Sequence, residues 1–473
     1  MKRISLFCLI GAIGLLFSCT SDTITIKGKV KNAGGETVLY NRTIQGVYSM
    51  IPDTLHLQKD SSFIINVSSS EGERFSFFGL SMGQLGSFFS RPGTTEVEID
   101  LLADDADTRL LVLDGKNRET ELLLEVEQDR QKKKWKIAKD TNPASVYQKI
   151  VTLAKLYDKK LVDVDDVFRQ KARQNIRMQL LFAFEQKFKE EYYRVYGQTK
   201  QEWINTFLKV IEFVELNNPN NVFSPVFTEV IQNVAEIQSF EIQKSAANTQ
   251  SQDKKNEVLF GWYEKELQGL VREVALAQII LQDYKTEAYE ESIEALYDRF
   301  LKLYPESLLK SFLEEAVAKN KFFNETVMSS NVHILDSEEI QSLNDLLSRY
   351  RGKVVYVDIW ATWCWSCRKA FEHIAPLLQY AKERDIILLF ISVDDLSKRS
   401  KWIKMANFYN LQGEHVIVNE AYESDLNEKF GTSGHLFLPH SAIINKKGEI
   451  QFRKAAGLEQ FDKLKEQLEE ALH

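Results

Sequence analysis

Val354-Val355-Tyr356-Val357-Asp358-Ile359-Trp360-Ala361-Thr362-Trp363-Cys364-Trp365-Ser366-Cys367 runs from an unbroken apolar and aromatic segment directly into a C-x-x-C. A short apolar run is the pattern of a buried strand, and the residues after it carry helical spacing, so the cysteines fall at a strand-to-helix turn. A helix start leaves N–H groups unpaired and a partial positive charge, which favours the thiolate of Cys364. Cys367, one turn further on, is spaced to attack a mixed disulfide formed at Cys364. The pair is therefore expected to act as a dithiol–disulfide couple. Asp358 is the single charge in the apolar strand, and burying it is costly unless it has a partner or a task.

Working outward, the other two of the four cysteines fall near the start of the chain. Lys2 and Arg3 precede an apolar run, 4–17, that is short for a bilayer span and reads as an export signal. It closes on Leu16-Phe17-Ser18-Cys19, which resembles the lipobox of bacterial lipoproteins, with Phe17 bulkier than is usual there. That resemblance implies removal of residues 1–18, Cys8 included, and lipidation of Cys19. The anchor would then be acyl chains in a membrane, with no spanning helix. A plain secretory signal is the alternative. Cys364 and Cys367 are then the only thiols left, at redox spacing, in a compartment where cysteines usually form structural bridges.

Lys and Arg number 60 against 68 Asp and Glu, a formal charge of −8 with no basic run, which argues against a nucleic-acid partner. The length and the changes of pattern predict a multidomain chain. Residues 19–112 read as a small all-β sandwich. Ile24, Ile26 and Val30 alternate with Thr25, Lys27 and Lys29, and Phe63, Ile65, Val67 and Val97, Ile99, Leu101 repeat the pattern. Gly79, Gly83, Gly86 and Pro92-Gly93 are expected in its loops, and Phe75, Phe77, Phe78, Phe88 and Phe89 in its core. Residues 113–330 read as an α-helical middle region, poor in glycine, with Pro143, Pro219 and Pro305 as starts or stops and a polar connection over 245–256. Trp203, Phe207, Ile211 and Val214 share one helical face. Residues 331–473 read as an α/β domain: strand 354–360, helix 368–382 with Pro376 inside it, strand 386–393, helix 400–409, strand 415–419 and helix 424–430. A hairpin of 441–445 and 450–453 and a helix over 459–472 close it. Helices are expected on both faces of a mixed sheet.

The segment Trp360-Ala361-Thr362-Trp363-Cys364-Trp365-Ser366-Cys367, with Pro439 and the closing hairpin and helix, resembles the thioredoxin fold. It is more narrowly similar to the TlpA/ResA/DsbE-like thiol-disulfide oxidoreductases of the bacterial envelope, over residues 335–473. The resemblance implies Cys364 as attacking thiol and Cys367 as resolving thiol. It also implies Asp358 as a buried acid that takes the resolving thiol's proton, and Pro439 as a cis-proline beside a groove for substrate backbone. Leu438 is not the small or β-branched residue usual before that proline, and Trp365-Ser366 replaces the Gly-Pro or Pro-Pro of many reducing members. Trp363, Trp365 and Leu438 are the candidate substrate contacts, whereas Trp360 is expected in the core.

No metal is expected: His435 and His440 could complete a tetrahedral site with the cysteines, but His440 beside the proline loop does not suit a zinc centre. No cofactor is expected beyond the Cys364–Cys367 disulfide. The resemblance further implies exported proteins with thiols or disulfides as substrates, reduction as the direction, and a membrane electron donor. It places the chain in the cell envelope, lipid-anchored, with the thioredoxin domain facing the periplasm. A binding or scaffold lipoprotein with a thioredoxin-like docking module is the alternative from another class.

Overall fold

The structure, a computed structural model, describes residues 23–32, 38–44, 47–68, 74–80, 83–103, 110–114, 118–131, 135, 137, 139–243, 252–336, 340–432 and 435–473. The export segment and Cys19 lie outside the described residues. The chain divides into two compact units, Met1–Gln250 with Val258–Gln278, and Ser251–Glu257 with Ile279–His473.

Among the described residues the first unit opens with eight strands: β1 (Thr23–Lys31), β2 (Val38–Ile44), β3 (Val47–Thr54), β4 (Ser62–Ser68), β5 (Arg74–Leu80), β6 (Gly83–Ser90), β7 (Gly93–Asp100) and β8 (Leu110–Asp114). They form two four-stranded sheets, β4-β1-β7-β8 and β3-β2-β5-β6. The period-2 pattern holds. Ile24, Ile26, Val30, Phe63, Val97 and Ile99 are buried together, while Lys27 and Lys31 pair with Glu96 and Glu98 on the wet face. Gly28 is required where β1 meets β7, since a Cβ there would lie 2.3 Å from the Val97 carbonyl oxygen. The glycine expectation is corrected: Gly79 lies in β5, Gly83 and Gly86 in β6 and Gly93 at the start of β7. The β5–β6 register shifts between Phe78 and Gly79, a place where the missing side chain eases a bulge. Phe88 and Phe89 are buried as expected. The side chains of Phe75, Phe77 and Phe78 lie outside what is described.

Helices Arg118–Gln131, Pro143–Lys160, Asp166–Arg194, Gly197–Val214 and Phe227–Glu236 follow. Pro143 sits in the first turn of its helix, where it gives up no intrahelical bond, and Asn142 caps that turn by accepting from the Ser145 N–H at 2.9 Å. Trp203, Phe207, Val210 and Val214 are buried on one face, with Ile211 at its margin. The expected polar connection is shorter than 245–256, because Gln252–Glu266 is a helix.

In the second unit, β9 (Val332–Ile334), β10 (Val355–Trp360), β11 (Ile387–Ser392), β12 (Gly413–Ile417), β13 (His440–Ile444) and β14 (Ile450–Phe452) form one mixed sheet, ordered β14-β13-β10-β11-β12-β9. β10, β11, β12 and β9 run parallel, whereas β13 and β14 are antiparallel additions at the other edge. β9 was not foreseen: three residues are too few for a period to register. The expected helix 368–382 is two helices, Trp365–Phe371 and Ala375–Arg384. Pro376 cannot sit in a helix interior without losing a hydrogen bond, so it occupies the first turn of the second. The central strands alternate between two cores. Val355, Val357 and Ile359 pack with Leu389, Ile391, Val416 and Ile444 on one face. Tyr356 and Trp360 pack with Phe371, Phe390 and Ile443 on the other.

Candidate redox site

That alternation decides where Asp358 goes. Lying between Tyr356 and Trp360 in the period-2 order, it joins the face that also buries Cys364 and Cys367. Cys364 is the N-cap of helix Trp365–Phe371, and its Sγ accepts from the Cys367 N–H at 3.2 Å. The two sulfurs form a disulfide. Cys367 is fully buried and Cys364 only slightly exposed, so an incoming thiol or disulfide reaches the first sulfur and not the second.

Asp358 is buried, and Tyr356 Oη and Ser441 Oγ lie 3.0 and 3.3 Å from its Oδ2. Its Oδ1 has no protein partner. Burial outweighs these two hydrogen bonds and pushes the carboxyl up to about 6. A cavity of about 380 Å³ is lined by Asp358, Cys367, Pro439 and Ser441 and by the backbone turn through Gly457. It brings the buried acid and the second cysteine to one space large enough for water. The Leu438–Pro439 bond is cis, with Pro439 exposed and Leu438 half-buried.

Trp363 and Trp365 are 67% and 50% exposed on either side of Cys364, and Phe437, next to Leu438, is 70% exposed. Trp360 lies in the core, edge-on to Phe371. His440 stands opposite Ile359 in the β10–β13 register, and its Nε2 donates to the Arg453 carbonyl at 2.8 Å. Among the described residues no group of three or more His, Cys, Asp or Glu is arranged to hold a metal ion.

Several residues here escaped the sequence reading. Asp394 is buried, and its carboxylate accepts from the Thr362 N–H at 2.8 Å and the Thr362 Oγ1 at 2.7 Å, fixing the turn before Trp363. Its signal was available: it follows the carboxyl end of a parallel strand, where sites in α/β sheets gather. Ser441 becomes a partner of Asp358 only because β10 pairs with β13, which no local pattern reveals, whereas Tyr356, two residues before Asp358 on the same strand face, lies within reach of the period-2 order. Arg368, directly after Cys367, is buried and donates to the Thr362 carbonyl. Its burial had no sequence signal at all.

Residues 334–468 match the Redoxin family model. The second unit therefore carries a redoxin domain of thioredoxin-like fold, the class of the thiol-disulfide oxidoreductases. The chain is 27% identical over 145 residues to the thiol:disulfide interchange protein DsbE of Pseudomonas fluorescens biotype C, covering 30% of this chain and 70% of that one. It is 30% identical over 117 residues to the thiol-disulfide oxidoreductase ResA of Bacillus thuringiensis (strain Al Hakam), covering 24% of this chain and 60% of that one. The chain thus spans less than two thirds of the ResA relative. A solved thiol:disulfide interchange protein from a Bacteroides species aligns with 28% of this chain and 80% of its own, at 20% identity and a TM-score of 0.23.

Proposed function

We propose that this chain is a thiol-disulfide oxidoreductase of the cell envelope that reduces disulfides in exported proteins. The observation that carries the reading is the placement of Cys364 at a helix N-terminus with Cys367 buried behind it, beside a cavity shared with Asp358. In the reduced enzyme the Cys364 thiolate attacks a substrate disulfide, forming a mixed disulfide and releasing one substrate thiolate. Asp358 takes the proton of Cys367, directly or through water in the cavity. The Cys367 sulfur then attacks Cys364 Sγ, closing the disulfide and releasing the second substrate thiolate. Two electrons pass from the dithiol to the substrate, and a thiol donor at the membrane restores the dithiol. No cofactor is needed beyond the cysteine pair.

Trp363, Trp365 and Leu438 would flank the substrate chain as it lies along Pro439. The basic and apolar start of the sequence and Cys19 support a lipid anchor with the redoxin domain facing the periplasm. Among the described residues no helix is long and apolar enough to cross a membrane. The two N-terminal sheets are read as one small sandwich, since Val38, Tyr40 and Phe88 share a cluster with Ile24 and Ile26. Residues 19–112, 113–330 and 331–473 then serve as β, helical and redox parts.

The deciding experiment equilibrates the chain in graded thiol buffers and traps free thiols for mass analysis. A potential of about −250 mV or lower supports the reductase, one near about −120 mV reverses the direction, and no intramolecular disulfide at any poise ends the redox reading.

A further inference from the structure

The active-site helix is gripped by a loop that lies some eighty residues earlier in the chain. Within the second unit, Ile279–Thr286 ends a helix and residues 287–292 lead to the next, Ile293–Leu303. Glu287 and Tyr289 in this loop both adopt left-handed backbone conformations, φ 51° and 53°. Side-chain-bearing residues take up this region rarely, so contacts hold the loop in place. Tyr289 stacks on Phe323 with ring centroids 4.3 Å apart and joins the same buried cluster as Cys364 and Cys367. Arg368 spans the gap, donating through one terminal nitrogen to the Thr362 carbonyl in front of the cysteines and through the other to the Thr286 carbonyl.

Glu287 is the counter-ion of this junction. Its side chain is 6% exposed and Arg368's is 4% exposed, with Arg368 Nε 4.0 Å from Oε2. Oε1 lies 2.8 Å from Lys319 Nζ and 3.3 Å from Lys369 Nζ, and the Tyr409 hydroxyl donates to Oε2 at 3.1 Å. Tyr289 and Tyr284 are further titratable groups facing it. Burial by itself would raise this carboxyl, but the Lys319 and Lys369 ammoniums outweigh it and hold the group below its usual value, ionised at neutral pH.

We infer that Glu287 and Arg368 are a pair of positioning residues that set the acidity of Cys364, and with it the redox poise of the couple, from opposite sides. The inference rests on the redox reading of the cysteine pair. Arg368 lies four residues after Cys364, on the same face of the helix, and adds positive potential to that already present at the helix start. Glu287 offsets part of it. A carboxylate against Arg368 and Lys369, in the last turn of the active-site helix, thereby keeps the Cys364 thiolate from becoming too stable, which would make the couple more oxidising.

The test is the thiol pKa of Cys364 in the reduced chain, read from the pH dependence of iodoacetamide alkylation, with the couple's equilibrium in thiol buffer measured alongside. Glu287→Gln keeps the shape and removes the charge. It should lower the Cys364 pKa by about 0.5–1 and shift the exchange equilibrium towards the dithiol by roughly threefold to tenfold, where tenfold corresponds to 29.6 mV. Arg368→Met should move both quantities the other way. A merely structural junction would loosen in both variants and move them in one direction, and that result, or a wild-type titration in both, overturns the inference. If either variant fails to fold, Lys369→Gln, half out in solvent, still decides: it removes a cation and must raise the Cys364 pKa, and an unchanged or lowered value overturns the pair. A wild-type chain that forms no Cys364–Cys367 disulfide overturns the redox reading instead, whatever the variants do.

Discussion

The two faces of the C-terminal sheet are built from the same strands and differ in everything that bears on chemistry. One face presents Val355, Val357, Ile359, Leu389, Ile391 and Val416 to a core closed by helices Leu343–Leu347 and Glu420–Phe430. The other presents Tyr356, Asp358 and Trp360 to the cysteine helix, with His415 buried and held neutral, its pKa pushed down to about 4 by the loss of water. The first face stabilises the domain by apolar burial, worth roughly 1.5–3 kcal/mol for each large side chain. The second gives up part of that gain to hold a carboxyl that is hard to ionise and a disulfide that can open. A period of two lets one strand do both, because neighbouring residues never share a face.

The sharpest break in this comparison is Cys364→Ser, which should abolish exchange altogether while leaving the melting temperature of the reduced protein nearly unchanged. Insulin reduction and a thermal melt on the same sample check both halves. Next in size is Asp358→Asn, expected to slow resolution of the mixed disulfide on the order of 10²-fold, as loss of a general base does. Stopped-flow exchange at pH 7 reads this. The same variant should be more stable, because a carboxyl raised to about 6 in the fold favours folding fully only below its unfolded value and loses that advantage as pH rises through 6. The gain should be on the order of 2–3 kcal/mol above pH 6.5 and vanish by pH 4, as seen by urea melts across that range.

On the opposite face, Leu389→Ala should cost about 2–5 kcal/mol by opening a cavity, and leave the thiol titration where it was. A shifted Cys364 pKa in that variant would show that the faces are not independent. The smallest effect is expected from Trp365→Ala: 50% exposed and outside both cores, it should change stability by less than about 0.5 kcal/mol. Its loss should raise the KM for a peptide disulfide severalfold, and an unchanged KM would remove it from the substrate surface.

Much of this was legible before the fold. The apolar strand and the C-x-x-C are local features, and they placed Cys364, Cys367 and the burial of Asp358 without any tertiary information. Pro439 came from resemblance, since nothing in its neighbourhood marks it. Helical spacing continues across Pro376 and hides the break there, although the proline's missing N–H makes a helix start the better site.

What the sequence by itself determined is the chemistry at short range: which thiols are paired, which acid lies on the strand, and the alternation that sorts the sheet into two faces. These follow from spacing along one element, where geometry is set by local dihedrals. Only the tertiary structure decided which charges meet. Glu287 meets Arg368, Lys319 and the Tyr409 hydroxyl, and Ser441 reaches Asp358, through contacts between residues far apart in the chain. Electrostatic energies depend on distance in space and on the exclusion of water, and neither is written in sequence order.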